Sequence, residues 1–153
     1  ATLTSRGFSR RAAERVAEGN VYVDRASNQL ANYQHSMRDI GQNREAAIEL
    51  SAQFMRTKLA EAASAIIAGD YNRGLSAFGE GLHTAQDQKH NWITLLQHGP
   101  TEVGTDFEPT TQQRNAGLSN TQAYVNEFWS VLRNDNKLSG AQIENIRKDL
   151  QNY

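Results

Sequence analysis

Three potential metal ligands follow one another closely in the second half of the chain: His83, Asp87 and His90. In an α-helix each residue advances by about 100°, so these side chains would project from one strip about 60° wide. Imidazole nitrogens and carboxylate oxygens are donors that divalent metals use in proteins, and they must converge within bonding distance. The spacing therefore predicts a metal site on one helix face. Small residues on the same strip, Ser76 and Gly79, predict open space beside the metal for water or substrate.

Further donors lie outside this helix. His98 and Glu102 repeat the four-residue spacing, and Pro100 between them is well suited to open a short helical turn. On the first helical stretch, His35 lies on a polar stripe with Asp24, which makes it the best candidate for a ligand from another helix. A single His-x-x-x-Asp pair is often only a pair on a helix surface. Five donors within a stretch of about twenty residues favour the metal site over that alternative.

The elements that must position these residues are all predicted to be helices, because apolar residues recur at helical spacing and no alternating Val, Ile and Thr run predicts a strand. We expect an all-α domain, a helical bundle of about five helices. The predicted helical stretches are 9–38 with a break near Gly19, 43–68, 72–91, and two that start with capping boxes at Ser119 and Ser139. Residues 96–117 contain glycines and prolines with little periodicity and predict one long loop, of the kind that is often functional.

Composition narrows the possible functions. The chain has 16 basic and 17 acidic residues and a net charge of −1, so it lacks the positive field of a typical duplex-DNA-binding domain. It has no cysteine, which excludes disulfides, thiolate ligands and thiol nucleophiles. No apolar run reaches the ~20 residues of a membrane-spanning helix, so we expect a soluble domain without a transmembrane segment.

The stretch that carries the three donors also resembles a known sequence pattern. Residues 79–90 read GEGLHTAQDQKH, which is similar to the G-x-x-L-H-x-x-x-D-x-x-x-H hallmark of the zinc-dependent phospholipase C and single-strand zinc nuclease superfamily. His98-x-x-x-Glu102 resembles that superfamily's second hallmark, a His-x-x-x-Glu that closes the site. LHTAQD at residues 82–87 is similar to the LHTxQD of C-terminal toxin domains in rearrangement-hotspot (Rhs) and related polymorphic toxins.

This resemblance implies a ligand set. His83 and Asp87 would bind one metal, with Asp87 able to bridge two, and His90, His98 and Glu102 would bind another. Zinc is the implied metal, with another divalent metal as the alternative. His90 follows His83 by seven residues, one fewer than is usual in the superfamily, so we expect one or two ions rather than three.

The same resemblance implies a metal-dependent hydrolase of phosphoesters. The metal would lower the pKa of a water that attacks phosphorus, so no Ser or Cys nucleophile is required. Asp87 or Glu102 would orient or deprotonate that water, and Arg114 in the long loop could hold a phosphate through two hydrogen bonds. Phospholipid is favoured as the substrate because the net charge is slightly negative; nucleic acid, cleaved by a nuclease of the same superfamily, is the alternative.

The similarity to Rhs toxins also implies a biological role. We expect residues 1–153 to be a single helical domain excised from a larger protein, an antibacterial or cytotoxic effector of the kind that type VI secretion delivers into a target cell. A cognate immunity protein would cover the site or residues 96–117. A second hypothesis is a non-enzymatic toxin or binding domain in which the histidine cluster is structural or degenerate.

Overall fold

Five α-helices make up most of the chain that the structure describes. This computed structural model describes residues 3–25, 31–92, 94, 111–134 and 137–153. The helices are α1 (Arg10–Val23), α2 (Arg44–Ile67), α3 (Tyr71–Asp87), α4 (Thr111–Asn134) and α5 (Gly140–Asn152). Three short 3-10 helices are Leu3–Arg6, Asn32–His35 and Gln88–His90. These ranges contain no strand, so the predicted all-α bundle of about five helices is confirmed. In the same ranges, no helix has both the length and the apolar content needed to cross a membrane.

Local sequence signals explain where several helices begin and end. The side chain of Asn43 accepts hydrogen bonds from backbone amides in the first turn of α2, and Asp70 caps α3 in the same way. Between these helices Gly69 has a φ of +84°, a left-handed conformation that glycine adopts without strain. Ser139 and Gln142 form the predicted capping box at the start of α5.

The central helix of the fold is α3, which packs against α1, α2 and α4. Its Phe78 is 1% exposed, and the Phe78 ring centroid lies between 5.0 and 5.7 Å from those of Phe8, Tyr124 and Phe128. A helix enclosed on three sides must be mostly apolar, because unpaired polar groups are costly to bury. His83 and Asp87 are therefore unusual, because both carry an ionisable side chain that is buried on the central helix.

The first helix is shorter than the sequence predicts. Residues 9–38 were expected to be helical with a break near Gly19, but α1 passes unbroken through Gly19 and ends at Val23. A glycine inside a helix costs only ~1 kcal/mol relative to alanine, and tertiary packing can outweigh this cost. The Gly19 backbone lies against α3, and this contact stabilises the helix where the local signal predicted a break.

The fourth helix begins earlier than the sequence predicts. A loop was expected up to residue 117, followed by a capping box at Ser119, but α4 begins at Thr111 and Ser119 lies in its interior. The hydroxyl of Thr121 donates to the carbonyl oxygen of Gly117, as a helix-interior threonine does, instead of forming part of a cap. The remainder of the predicted loop, 96–110, lies outside the described residues.

Candidate metal centre

The candidate site forms where α1 crosses α3 at very short range. A Cβ added to Gly19 would lie 2.2 Å from the carbonyl oxygen of Ser76, and a Cβ added to Gly79 would lie 2.1 Å from that of Val16. Only glycine permits two helix backbones to approach so closely. The prediction that Ser76 and Gly79 leave open space beside the metal is therefore wrong, because α1 fills this space.

This crossing places the last turns of α1 against the polar residues of α3. Asn20 lies in the last turn of α1, and Asp24 caps the carboxyl end of this helix four residues later. His83 and Asp87 lie one turn apart on α3. The Oδ1 atom of Asn20 lies 3.4 Å from His83 Nδ1, and the Oδ1 atom of Asp24 lies 3.5 Å from His83 Nε2. Asn20 of α1 and the capping residue Asp24 therefore lie next to the two nitrogens of one imidazole.

His35 reaches the site from the 3-10 helix Asn32–His35, not from the long first helix that the sequence predicts. The next residue, Ser36, is fully buried and has a φ of +49°, a left-handed conformation uncommon for residues other than glycine. The Ser36 hydroxyl donates to the carbonyl oxygen of Thr84 (2.8 Å), and the Thr84 hydroxyl donates to that of Gln34 (2.6 Å). These two bonds on either side of His35 fasten it to α3.

Four side chains converge here, and we refer to them as the His–Asp cluster: Asp24, His35, His83 and Asp87. His35 Nδ1 lies 3.1 Å from His83 Nε2. The Oδ2 atom of Asp87 lies 2.9 Å from His83 Nε2 and 3.4 Å from His35 Nδ1. The two imidazoles and Asp87 are buried, whereas the side chain of Asp24 is 59% exposed. Asp24 therefore lies on the solvent side of the cluster.

The charges around the cluster favour a bound cation. Burial acts to lower the pKa of His83, but the hydrogen bond and charge of Asp87, together with the charge of Asp24, outweigh it and raise that pKa above its usual value. Lys89 acts in the opposite direction, and its ammonium lies 3.8 Å from Asp87 Oδ1. Two carboxylates facing two imidazoles attract positive charge, which a proton or a metal ion can supply.

The arrangement also fits a divalent metal. One ligand atom each from Asp24, His35 and His83 lie within 4.8 Å of one another. Two ligands of one zinc ion, each ~2.0–2.2 Å from it, are separated by at most ~4.4 Å, so small side-chain movements bring all three into bonding range. This His-His-Asp group could therefore hold a metal ion. Asp87 Oδ2 lies near enough to both imidazoles to serve as a fourth ligand or as a partner of a bound water.

Three residues predicted as metal ligands are brought together by the fold: His35, His83 and Asp87. The sequence placed Asp24 on a polar stripe without assigning it as a ligand, and it missed Asn20 entirely. The available signal was their four-residue spacing on one helix. That spacing gives no information about which other helix the two residues face.

The other predicted site residues are not brought to the cluster by the described part of the chain. Because α3 ends at Asp87 and Gln88–His90 is a 3-10 helix, the helical strip calculated from the sequence does not extend to His90. The side chain of His90 is not described, and His98 and Glu102 lie outside the described residues. Arg114 is exposed on the first turn of α4, in a helix and not in the loop that the sequence predicts.

Comparisons with known proteins assign no family to this chain. No protein-family model matches it. No curated protein and no solved structure shows significant similarity to it.

Proposed function

We propose that this protein is a metal-dependent hydrolase of phosphoesters that acts as a toxin or effector, with phospholipid as the favoured substrate. The observation that carries the proposal is the convergence of ligand atoms from Asp24, His35 and His83 around one point, with Asp87 beside them. A buried neutral histidine is satisfied by one acceptor and one donor, one for each ring nitrogen. Four ionisable groups that meet where three elements join are typical of a metal or catalytic centre.

The cluster residues have distinct proposed roles. His35 and His83 supply nitrogen ligands and Asp24 supplies an oxygen ligand, a mixture that suits zinc. Zinc bound here would lower the pKa of a water and stabilise negative charge on phosphoryl oxygens. Asp87, whose Oδ2 lies within 3.4 Å of both imidazole nitrogens, orients the attacking water or accepts its proton.

The motif resemblance adds residues to this proposal. His90, His98 and Glu102 would be the ligands of a second ion, with Glu102 as an alternative base. Arg114 would contact the substrate phosphate. We therefore propose one or two zinc ions per chain, with the His–Asp cluster as the first site.

Metal analysis is the direct test of the proposed site. The full chain, purified without an affinity tag or chelator, should contain about one zinc ion or more, and isothermal titration of chelator-treated protein should recover that binding. Replacing His35 and His83 by alanine should abolish binding at the first site. Asp149→Asn, which removes a carboxylate paired with Tyr71 in a separate contact, is the matched control and should bind like the wild type. Wild-type protein that binds no divalent ion would contradict the proposal.

The substrate is tested on the zinc-loaded chain. Anionic and zwitterionic liposomes and single-stranded DNA are incubated with zinc and, separately, with excess chelator. Metal-dependent release of phosphorylated headgroups is the expected result. Cleavage of DNA alone would identify a nuclease and overturn the lipid assignment, and no turnover of either substrate would contradict phosphoester hydrolysis.

The toxin role is tested by expression in cells. Wild-type protein should arrest growth, and His83→Ala combined with Asp87→Ala should remove this effect. Co-expression of a cognate immunity protein should also protect the cells. A double variant that folds and keeps full toxicity would favour the non-enzymatic alternative.

A further inference from the structure

A chain of side-chain hydrogen bonds runs from His83 to α4. Asn20 Oδ1 lies 3.4 Å from His83 Nδ1, on the side of the imidazole away from the other cluster residues. Asn20 Nδ2 donates to Gln86 Oε1 at 3.1 Å, and Gln86 Nε2 donates to Thr121 Oγ1 at 3.1 Å. The Thr121 hydroxyl in turn donates to the carbonyl oxygen of Gly117 at 2.8 Å. These hydrogen bonds connect α1, α3 and α4, and we refer to the series Asn20, Gln86 and Thr121 as the relay.

The donor and acceptor of every hydrogen bond in the relay follow from its last bond, in which Thr121 donates to Gly117. A backbone carbonyl can only accept, so the single proton of the Thr121 hydroxyl points to Gly117. Thr121 Oγ1 must then accept from Gln86, which orients the amide of Gln86 so that its oxygen faces Asn20. The nitrogen of Asn20 donates to that oxygen, and the oxygen of Asn20 is left facing His83. An acceptor at this position selects a proton on Nδ1.

The other nitrogen of the His83 imidazole, Nε2, also faces a hydrogen-bond acceptor. Asp87 Oδ2 lies 2.9 Å from His83 Nε2 and favours a proton there. A proton on Nε2 occupies the lone pair that a metal needs, because histidine binds metals as neutral imidazole through one free nitrogen. A hydrogen bond to the second nitrogen therefore decides how readily His83 can act as a ligand.

We propose that Asn20, Gln86 and Thr121 are positioning residues that hold a proton on His83 Nδ1, so that Nε2, which faces the His–Asp cluster, is the nitrogen that gives up its proton to bind a metal. This inference rests on the proposed function for its consequence, metal affinity, but not for the tautomer itself. Thr121 is 5% exposed, so the last bond of the relay is shielded from water. Through the relay, the proton on His83 Nδ1 depends on Thr121 of α4, and so does the ability of Nε2 to bind a metal.

The test compares isosteric variants at the end of the relay farthest from the metal. Thr121→Val keeps the shape of the side chain and removes the acceptor, whereas Thr121→Ser keeps the hydroxyl. Second-sphere substitutions of this kind lower metal affinity by ~10–100-fold. We expect Thr121→Val to weaken zinc binding by about tenfold and Thr121→Ser to bind like the wild type. Asn20→Leu, which removes the acceptor next to His83, should have the larger effect.

A spectroscopic measurement separates this role from a merely structural one. Long-range ¹⁵N–¹H correlation spectra of the His83 ring should show a slowly exchanging Nδ1 proton in wild-type protein and faster exchange in Thr121→Val and Asn20→Leu. Melting curves check that these variants fold. Unchanged exchange together with unchanged zinc affinity in folded Thr121→Val and Asn20→Leu would overturn the relay.

The two proposals fail in different ways. If wild-type protein binds no zinc, the proposed function fails, but the exchange of the Nδ1 proton in metal-free protein still tests the relay. Protection in the wild type that is lost in Asn20→Leu supports the relay under that condition. Rapid exchange in the wild type overturns it.

Discussion

Asp24 is the most exposed residue of the His–Asp cluster. It caps the carboxyl end of α1, where the helix dipole disfavours a negative charge, and most of its side chain is exposed. A carboxylate at this position is unfavourable for the helix but supplies an oxygen next to both imidazoles. The carboxylate of Asp24 thus lowers the stability of the helix end but lies where it can bind a cation. Such a conflict is expected at a functional site.

Asp24→Asn should therefore affect metal binding and leave the fold intact. The amide oxygen of asparagine is uncharged and binds zinc more weakly than a carboxylate, so zinc affinity should fall about tenfold or more. The free energy of unfolding of metal-free protein should change by less than about 0.5 kcal/mol, as for most exposed substitutions. Isothermal titration and urea denaturation measure the two quantities. An unchanged zinc affinity would remove Asp24 from the ligand set.

At the scale of helices, the crossing of α1 and α3 determines whether the cluster can form. Gly79 lies against the backbone of α1 at Val16 and at Asn20, and Asn20 itself faces His83. Any side chain here must push α1 outward, because a helix backbone cannot yield as a flexible side chain can.

Gly79→Ala should lower both stability and metal affinity. Overpacking of this kind costs ~1–3 kcal/mol, which exceeds the ~1 kcal/mol that alanine contributes through helix propensity. Gly117→Ala is the matched control, since Gly117 is also helical but a Cβ there has no neighbour within 4 Å among the described atoms. Gly117→Ala should leave the free energy of unfolding unchanged or raise it by up to ~1 kcal/mol. Chemical denaturation and zinc titration test both variants, and equal behaviour of the two would contradict the close contact.

A second contact between helices depends on charge. Lys58 of α2 lies 2.8 Å from Glu80 of α3 and 3.1 Å from Glu61, and the side chains of Lys58 and Glu80 are 18% and 19% exposed. Burial acts to raise the pKa of Glu61, but the hydrogen bonds and charges of Lys58 and Arg73 outweigh it and lower that pKa. The ion pairs are half-buried, so they are less screened than pairs on the surface.

Lys58→Met should destabilise the protein in a pH-dependent manner. At pH 7 we expect a loss of about 1–3 kcal/mol, because the carboxylates of Glu61 and Glu80 both lose the ammonium of Lys58. A carboxyl group with a lowered folded-state pKa contributes stability above its unfolded pKa, and this contribution disappears as the pH falls through the folded value. The difference between wild type and variant should therefore shrink below about pH 4.5, the ordinary value for Glu61. Urea denaturation from pH 3 to pH 7 measures it, and a difference that grows on acidification would contradict this account.

At the scale of the whole molecule, the cluster joins segments that are distant in sequence. Its members come from the end of α1, from the 3-10 helix Asn32–His35, and from α3. An unfolded chain cannot hold these groups together, so a metal that binds them binds the folded state preferentially.

Zinc should therefore raise the melting temperature of the protein. A ligand at 100 times its dissociation constant stabilises the folded state by ~2.7 kcal/mol, which corresponds to roughly 5–10 °C for a chain of this size. Calorimetry with increasing free zinc, and with chelator, measures the shift. The His35→Ala and His83→Ala double variant should show none. An equal shift in that variant would place the metal elsewhere.

Much of the local structure could be predicted from the sequence, because the signals that determine it lie within a few residues. Asn43, Asp70 and Ser139 cap helices through their own side chains, so each helix start is encoded where it occurs. The i, i+4 spacing of His83 and Asp87 likewise places both on one helix face in any helical context. The all-α class and the shared helix face of His83 and Asp87 were accordingly determined by sequence alone.

The assembly of the cluster was decided only by tertiary structure. His35 lies 48 positions from His83 in the sequence, and neither residue carries information about the other. Their contact depends on the Ser36 and Thr84 hydrogen bonds, and the arrival of Asp24 depends on α1 passing close to α3. Such contacts result from packing between surfaces that no local pattern describes. The sequence therefore gives one side of the candidate site, the shared face of His83 and Asp87, and the fold brings Asp24 and His35 to it.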